Sequence, residues 1–154
     1  MQRWRGAARR DVGGESPQTT SSLPRLLQAF FHNWLVHQRG ASTNTVHAYR
    51  DSWRLFLRFV AKRRQRDVAE LALADLSGNE VLAFLEYVEH DRHASISTRN
   101  CRLAALHSFF LFVADHEPLV AGHCAEVLRI PTKRGPRRTI TYLDPEEVAA
   151  ILAQ

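Results

Sequence analysis

From Leu23 onward, apolar residues recur at three- and four-residue spacing, and each run is bounded by residues that start or stop a helix. Leu26, Leu27, Phe30, Phe31, Trp34 and Leu35 mark a first helix from about Leu23-Pro24 to Arg39. Its proline falls where a missing N–H is tolerated, and Gly40 terminates it. Ser42, Thr43 and Asn44 offer capping side chains for a second helix that reaches about Lys62. At about 100° per residue, Val46, Tyr49, Trp53, Phe56, Leu57 and Val60 fall on one arc of this helix. Thr43, His47, Arg50, Arg54 and Arg58 fall on the other. Ser77, with Glu80 three residues later, has the capping-box pattern and opens a third helix over about Asn79 to Asp91. A fourth starts between Ser95 and Ser97, carries Leu103, Leu106, Phe109, Phe110 and Val113, and stops near His116 ahead of Pro118. A short helix is expected over Leu119 to Leu128.

These elements predict an all-α fold, a four-helix bundle over residues 23–128. Residues 1–22 are rich in Gly, Ser, Thr and Arg and lack apolar periodicity, so a disordered tail is expected there. Residues 129–138, which include Lys133, Arg134, Arg137 and Arg138, read as an extended basic linker. A new helix start follows at Asp144-Pro145-Glu146-Glu147 and breaks off at Gln154, so residues 139–154 are expected to begin a further, truncated domain.

Composition narrows the class. An apolar share of 45%, with eight Phe and three Trp, suffices for a core in a chain of 154 residues. No apolar run approaches the roughly 18 residues of a membrane span, and the Arg-bearing N-terminus lacks the apolar stretch of a secretory signal. A cytoplasmic location without membrane attachment is expected. Cys101 and Cys124 form no CxxC pair, which fits a reducing compartment. The net charge of +5 is unevenly placed: residues 23–66 hold nine Lys/Arg and one Asp, whereas residues 67–98 hold seven acids and one Arg. One basic and one acidic side are expected, an arrangement suited to a polyanionic partner held in one orientation.

Arg50, Arg54 and Arg58 sit at i, i+4 and i+8 on a face free of core residues, where they can reach phosphates or base edges. Thr43 and Asn44 add neutral donors at the positive end of the same helix. Ordinary surface arginines would show the same spacing. Arg99 and Arg102 lie one turn apart on the side of the fourth helix that becomes apolar further along. They either project onto a ligand or pair with acids such as Asp91 or Glu89. His90, His93 and the His123-Cys124 pair complete no zinc-ligand set, so neither a metal nor a cofactor is expected. Ser-His-Asp order, a phosphate-binding GxxxxGK loop and an HExxH motif are lacking, and no catalytic residue is assigned.

The stretch from Ser42 to Phe59 resembles the S-x-N-T-x-x-x-Y-x-x-D-L-x-x-F-x-x-F segment of tyrosine recombinases, the phage-integrase and Xer group. Arg102 to Phe112 is similar to that family's R-L-S-A-L-R-x-F-Y-x-F segment, and Ile130 to Arg134 and Tyr142 to Val148 follow in matching order and spacing. The resemblance covers residues 23–154 and implies a SAM-like core-binding domain that forms half of a clamp on double-stranded DNA. Recombinase protomers would assemble on the recombination site, with the second and fourth helices facing the major groove. Thr43, Asn44, Arg50, Arg54 and Arg102 carry over as contact candidates, and His47, Arg99, His107, Lys133 and Arg134 complete the candidate DNA-binding set. His107 stands where the family usually has Arg, and Cys101 where a basic residue is common. The family's tyrosine nucleophile and its Arg, Lys and His partners are expected beyond residue 154. His47-Ala48-Tyr49-Arg50 spells HxxR too far upstream to be the family's motif. The implied function is therefore DNA binding in integration or recombination, with the catalytic half outside this chain. Two other readings stand beside it: a free-standing helical DNA-binding regulator, and a helical module whose basic face binds an acidic protein.

Overall fold

A computed structural model describes residues 21–136, and every regular element within them is helical. The expected tail falls almost entirely, and the expected restart at 139–154 entirely, outside the described residues, as do Arg137 and Arg138 of the linker. Helix α1 (Leu23–Ala29) continues as a π-helical segment, Phe30–Gln38. Four further helices follow: α2 (Thr43–Arg64), α3 (Gly78–Glu86) with a π-helical extension Tyr87–Asp91, α4 (Ile96–His116) and α5 (Ala121–Leu128). Short 3-10 turns at Val68–Glu70, Leu73–Asp75 and Pro118–Val120 connect them. The all-α, four-helix organisation read from periodicity is the one observed, with α5 as the expected short addition.

Serine starts each of α2, α3 and α4. Ser42 accepts from Thr45 N at 3.2 Å, Ser77 from Glu80 N at 3.3 Å and Ser95 from Thr98 N at 3.1 Å, each satisfying an amide the helix cannot. The expected capping box at Ser77 is only half made, because the Glu80 carboxylate turns instead to Arg63 Nε at 2.9 Å. A stronger charge-assisted bond wins over the reciprocal cap. Left-handed residues end three helical segments: Gly40 (φ 58°), Gln65 (φ 52°) and His93 (φ 53°). In each case the next amide closes a wide turn, Ala41 N to Leu35 O, Arg66 N to Ala61 O and Ala94 N to Val88 O at 3.0–3.1 Å.

The core is aromatic. Phe30 from the first helical stretch lies edge-on to Phe109 at 5.5 Å, and Trp53 of α2 meets Phe109 at 4.5 Å. Phe56 touches Phe84 at 5.1 Å and so ties α2 to α3, while Phe109 and Phe110 are fully buried within α4. The inward arc of α2 is the one periodicity assigned: Trp53, Phe56 and Val60 are buried, and Val46, Tyr49 and Leu57 pack against them half-covered. Because that arc is held, the opposite face of α2 must point outward.

Candidate nucleic-acid interface

Twenty-two residues make α2 about 33 Å long at the standard helical rise, nearly three times the roughly 12 Å width of a DNA major groove. Thr43, Asn44, His47, Arg54 and Arg58 are exposed along it, and Arg50 is half-exposed. Arg54 makes only a loose pair with Asp51 at 3.8 Å, with both side chains well over half exposed. Such a contact is worth little and yields readily to a stronger anion.

The next turns of α2 behave differently. Arg63 is held by Glu80, Arg64 by Asp75 at 3.1 Å and Glu80 at 3.6 Å, and Arg66 by Asp75 at 3.5 Å. The acidic segment after α2 thus folds back and neutralises its C-terminal end. Much of the charge contrast expected between two sides of the domain is local pairing. Among the described residues, no salt bridge engages Arg50, Arg58 or Lys62, so cations without an acidic partner run from Arg50 through the middle of the helix to Lys62 in its last turn.

Beside that face lies the N-terminal part of α4. Ala48, Asp51 and Ser52 of α2 and Ser97, Thr98, Cys101 and Arg102 of α4 line a shallow groove of about 240 Å³. Arg102 reaches across it, its Nη1 3.4 Å from Ser52 Oγ, and that hydroxyl in turn donates to Ala48 O at 3.0 Å. Its Nε is buried without a hydrogen-bond partner. Burial, and then the neighbouring Arg92, push the guanidinium below its ordinary value, while Asp51 pulls the other way. An arginine stays charged regardless, so this is a cation short of partners. Ser97 and Thr98 were not singled out from the sequence. Their signal was the Ser95 cap, which places the next residues in the first turn of α4.

Other candidate residues are placed differently. Arg99 is 6% exposed, its Nε 2.9 Å from Glu89 Oε1 and its Nη1 donating to Asn100 Oδ1 at 3.1 Å. Pairing with Glu89, one of the two sequence alternatives, is therefore the geometry present, and the guanidinium does not project onto the groove. Glu89 follows Leu85 by four residues and so lies on the same buried side of the helix, facing Arg99. His107 is half-buried against α5, its Nε2 3.0 Å from Val127 O. Burial lowers its pKa, the backbone bond partly opposing, so the neutral imidazole is favoured and it offers no cation in place of the family's arginine. Lys133 Nζ sits 2.8 Å from Glu89 Oε2, whereas Arg134 is exposed.

The model of the phage integrase N-terminal SAM-like domain matches residues 27–117, more than half of the chain, from the last turn of α1 to just past the end of α4. The chain belongs to the tyrosine recombinase family. Relatives agree: a Sinorhizobium fredii protein named "Putative integrase/recombinase y4rC" is 37% identical over 133 residues, covering 86% of this chain and 40% of that protein. A second protein of the same organism, named in the same way as y4rD, is 39% identical over 130 residues, 84% of this chain and 46% of its own length. Tyrosine recombinase XerC of a Roseiflexus species is 36% identical over 97 residues, 60% of this chain and 29% of that protein. The chain thus spans less than half the length of these recombinases. No solved structure matches it. No helix of this tyrosine recombinase domain is long and apolar enough to cross a membrane, among the described residues.

Proposed function

We propose that this chain grips duplex DNA with the outer face of α2 and the start of α4, as the DNA-binding part of a site-specific recombinase acting in DNA integration or recombination. The supporting observation is the groove between those helices, where Arg102 carries a buried, unpartnered Nε beside exposed hydroxyls, on a face whose α2 side also bears the unpaired Arg50 and Arg58 and the loosely paired Arg54. The orphaned Nε costs free energy in the unbound protein, and a turn of the half-buried guanidinium toward a phosphate in the groove would give it the missing acceptor. Thr43 and Asn44 at the start of α2 add donors where the helix dipole is positive. Arg134 lies free to reach the backbone as well. Further protomers on the same DNA, and cleavage and rejoining by catalytic groups outside residues 21–136, complete this reading.

The test is fluorescence anisotropy of a labelled duplex of about 30 base pairs titrated with the 154-residue chain across a salt series. Five or so phosphate contacts give a slope of log K against log salt of about −4.5. No binding at low salt overturns the proposal. A shallow slope with tight capture of an acidic protein would favour the interaction-module reading instead.

A further inference from the structure

The chain leaving α5 does not swing free. Ile130 is buried at 7% exposure, and three residues later the backbone of Lys133 is held on both sides by one side chain. Lys133 N donates to Asn100 Oδ1 at 3.0 Å, and Asn100 Nδ2 donates to Lys133 O at 2.8 Å. This reciprocal pair is what a neighbouring β-strand would supply, here provided by the carboxamide of an α4 residue. It requires an extended chain at close approach and is indifferent to the side chain at 133. The Lys133 ammonium adds a third bond, 2.8 Å to Glu89 Oε2. The other oxygen of Glu89 lies 2.9 Å from Nε of the buried Arg99, so the lysine joins an ion pair already in place. One turn of α4 before Asn100, Ile96 flanks Gly135, where an added Cβ would meet Ile96 Cγ2 at 3.8 Å. The strand therefore runs back along α4 toward its N-terminal end, the end that carries Ser97, Thr98 and Arg102.

We propose that Asn100 and Glu89 form a latch that straps the segment after α5 to α4 and delivers the downstream chain to the end of the domain where the α2–α4 groove opens. Asn100, Glu89 and Arg99 are positioning residues, and Lys133 is a strap residue rather than a phosphate ligand. The latch holds the linker in the free domain, so its first part is ordered before DNA is met. A tether fixed in this way lowers the entropy cost of placing whatever follows on the same duplex.

The experiment is NMR amide exchange near pH 7 on the 154-residue chain and on Asn100→Ala, Asn100→Asp and Lys133→Gln variants. The Lys133 amide should exchange at least about tenfold more slowly than an unprotected amide in the parent. Asn100→Ala should abolish that protection while the amides of Leu106 and Phe109 in the middle of α4 keep theirs. Asn100→Asp retains the acceptor for the Lys133 N–H and should restore most of it. Lys133→Gln should keep backbone protection. An unprotected Lys133 amide in the parent, or protection unchanged in Asn100→Ala, overturns the latch. The reassignment of Lys133 rests on the proposed DNA binding and has its own arm. The salt slope for the duplex should be the same for Lys133→Gln as for the parent, and a fall of about 0.9 would make Lys133 a phosphate contact. If the chain binds no DNA, the exchange data still decide the latch.

Discussion

Trp53 Nε1 donates to the backbone oxygen of Ala105 at 3.2 Å, joining the middles of α2 and α4 inside the dry core. The same indole packs edge-on against Phe109 at 4.5 Å and Phe56 at 5.7 Å. The two helices that carry the candidate DNA face are thus held at a fixed separation by one side chain. Trp53→Phe removes the bond, leaves the Ala105 oxygen to its helical partner alone, and opens a small cavity. The expected loss is about 2 kcal/mol, combining a buried hydrogen bond with a modest void. Urea unfolding should show a lower midpoint at an unchanged slope.

Glu89 and Arg99 make a second, electrostatic link, between the extension of α3 and the start of α4. The Lys133 hydrogen bond, then the charges of Lys133, Arg99 and His90, hold the Glu89 carboxyl below the usual carboxylate range despite the opposing effect of burial. A lowered folded-state pKa means that the stabilisation is fully present above the unfolded value and is lost as pH falls through the folded one. Glu89→Gln should destabilise the domain at neutral pH by leaving Arg99 buried and uncompensated. It should also remove part of the acid-induced loss below about pH 4.5. Combining it with Arg99→Met should recover stability, which thermal melts of the single and double variants across pH 3 to 7 would show.

His107 acts with the same sign in a higher pH window. Burial lowers its pKa and the Val127 carbonyl only partly offsets this, so the unfolded chain takes up the proton first. Stability should therefore fall as pH drops below about 6.5 and level off once the folded form is protonated as well. Replacing His107 by Gln keeps a donor for Val127 O and should flatten that part of the profile. A His107→Gln variant with the parent's slope between pH 5 and 7 would show that another group is responsible.

The α2 wheel was legible in the sequence because 22 residues separate an apolar arc from an Arg-bearing arc with no exception large enough to blur it. Helix ends were legible where the terminator was glycine, as at Gly40. Gln65 and His93 do the same work with side chains that signal nothing. The wheel of α4 misleads for a related reason. Arg99 and Arg102 both lie on its inward side, yet one meets Glu89 and the other only Ser52, because Glu89 comes within 2.9 Å of Arg99 whereas Asp51, in the groove beside Arg102, pairs with Arg54 instead. Neither the π-helical winding of Tyr87–Asp91 nor the 33-residue reach from Asn100 to Lys133 has a local sequence signature.

Arg54 and Arg102 should separate the two ways in which a cation contributes to DNA binding. Arg54 is exposed and pairs loosely with Asp51, so Arg54→Ala should lower affinity for a duplex roughly in step with one lost phosphate contact. Its stability should stay within about 0.5 kcal/mol of the parent. Arg102 is half-buried with an orphaned Nε, and its cost falls on the free protein. Arg102→Met fills the groove with an apolar chain of similar reach, so folding stability should be equal to the parent's or higher by up to about 1 kcal/mol. Affinity should nevertheless fall by about tenfold or more, because a charge-assisted bond in a partly desolvated groove is worth more than one in open solvent. Parallel anisotropy and urea titrations decide it. A stability loss in Arg102→Met that accounts for the weaker binding would make Arg102 a structural residue of the α2–α4 seam. Unchanged affinity in both variants would move the DNA-binding face away from α2 altogether.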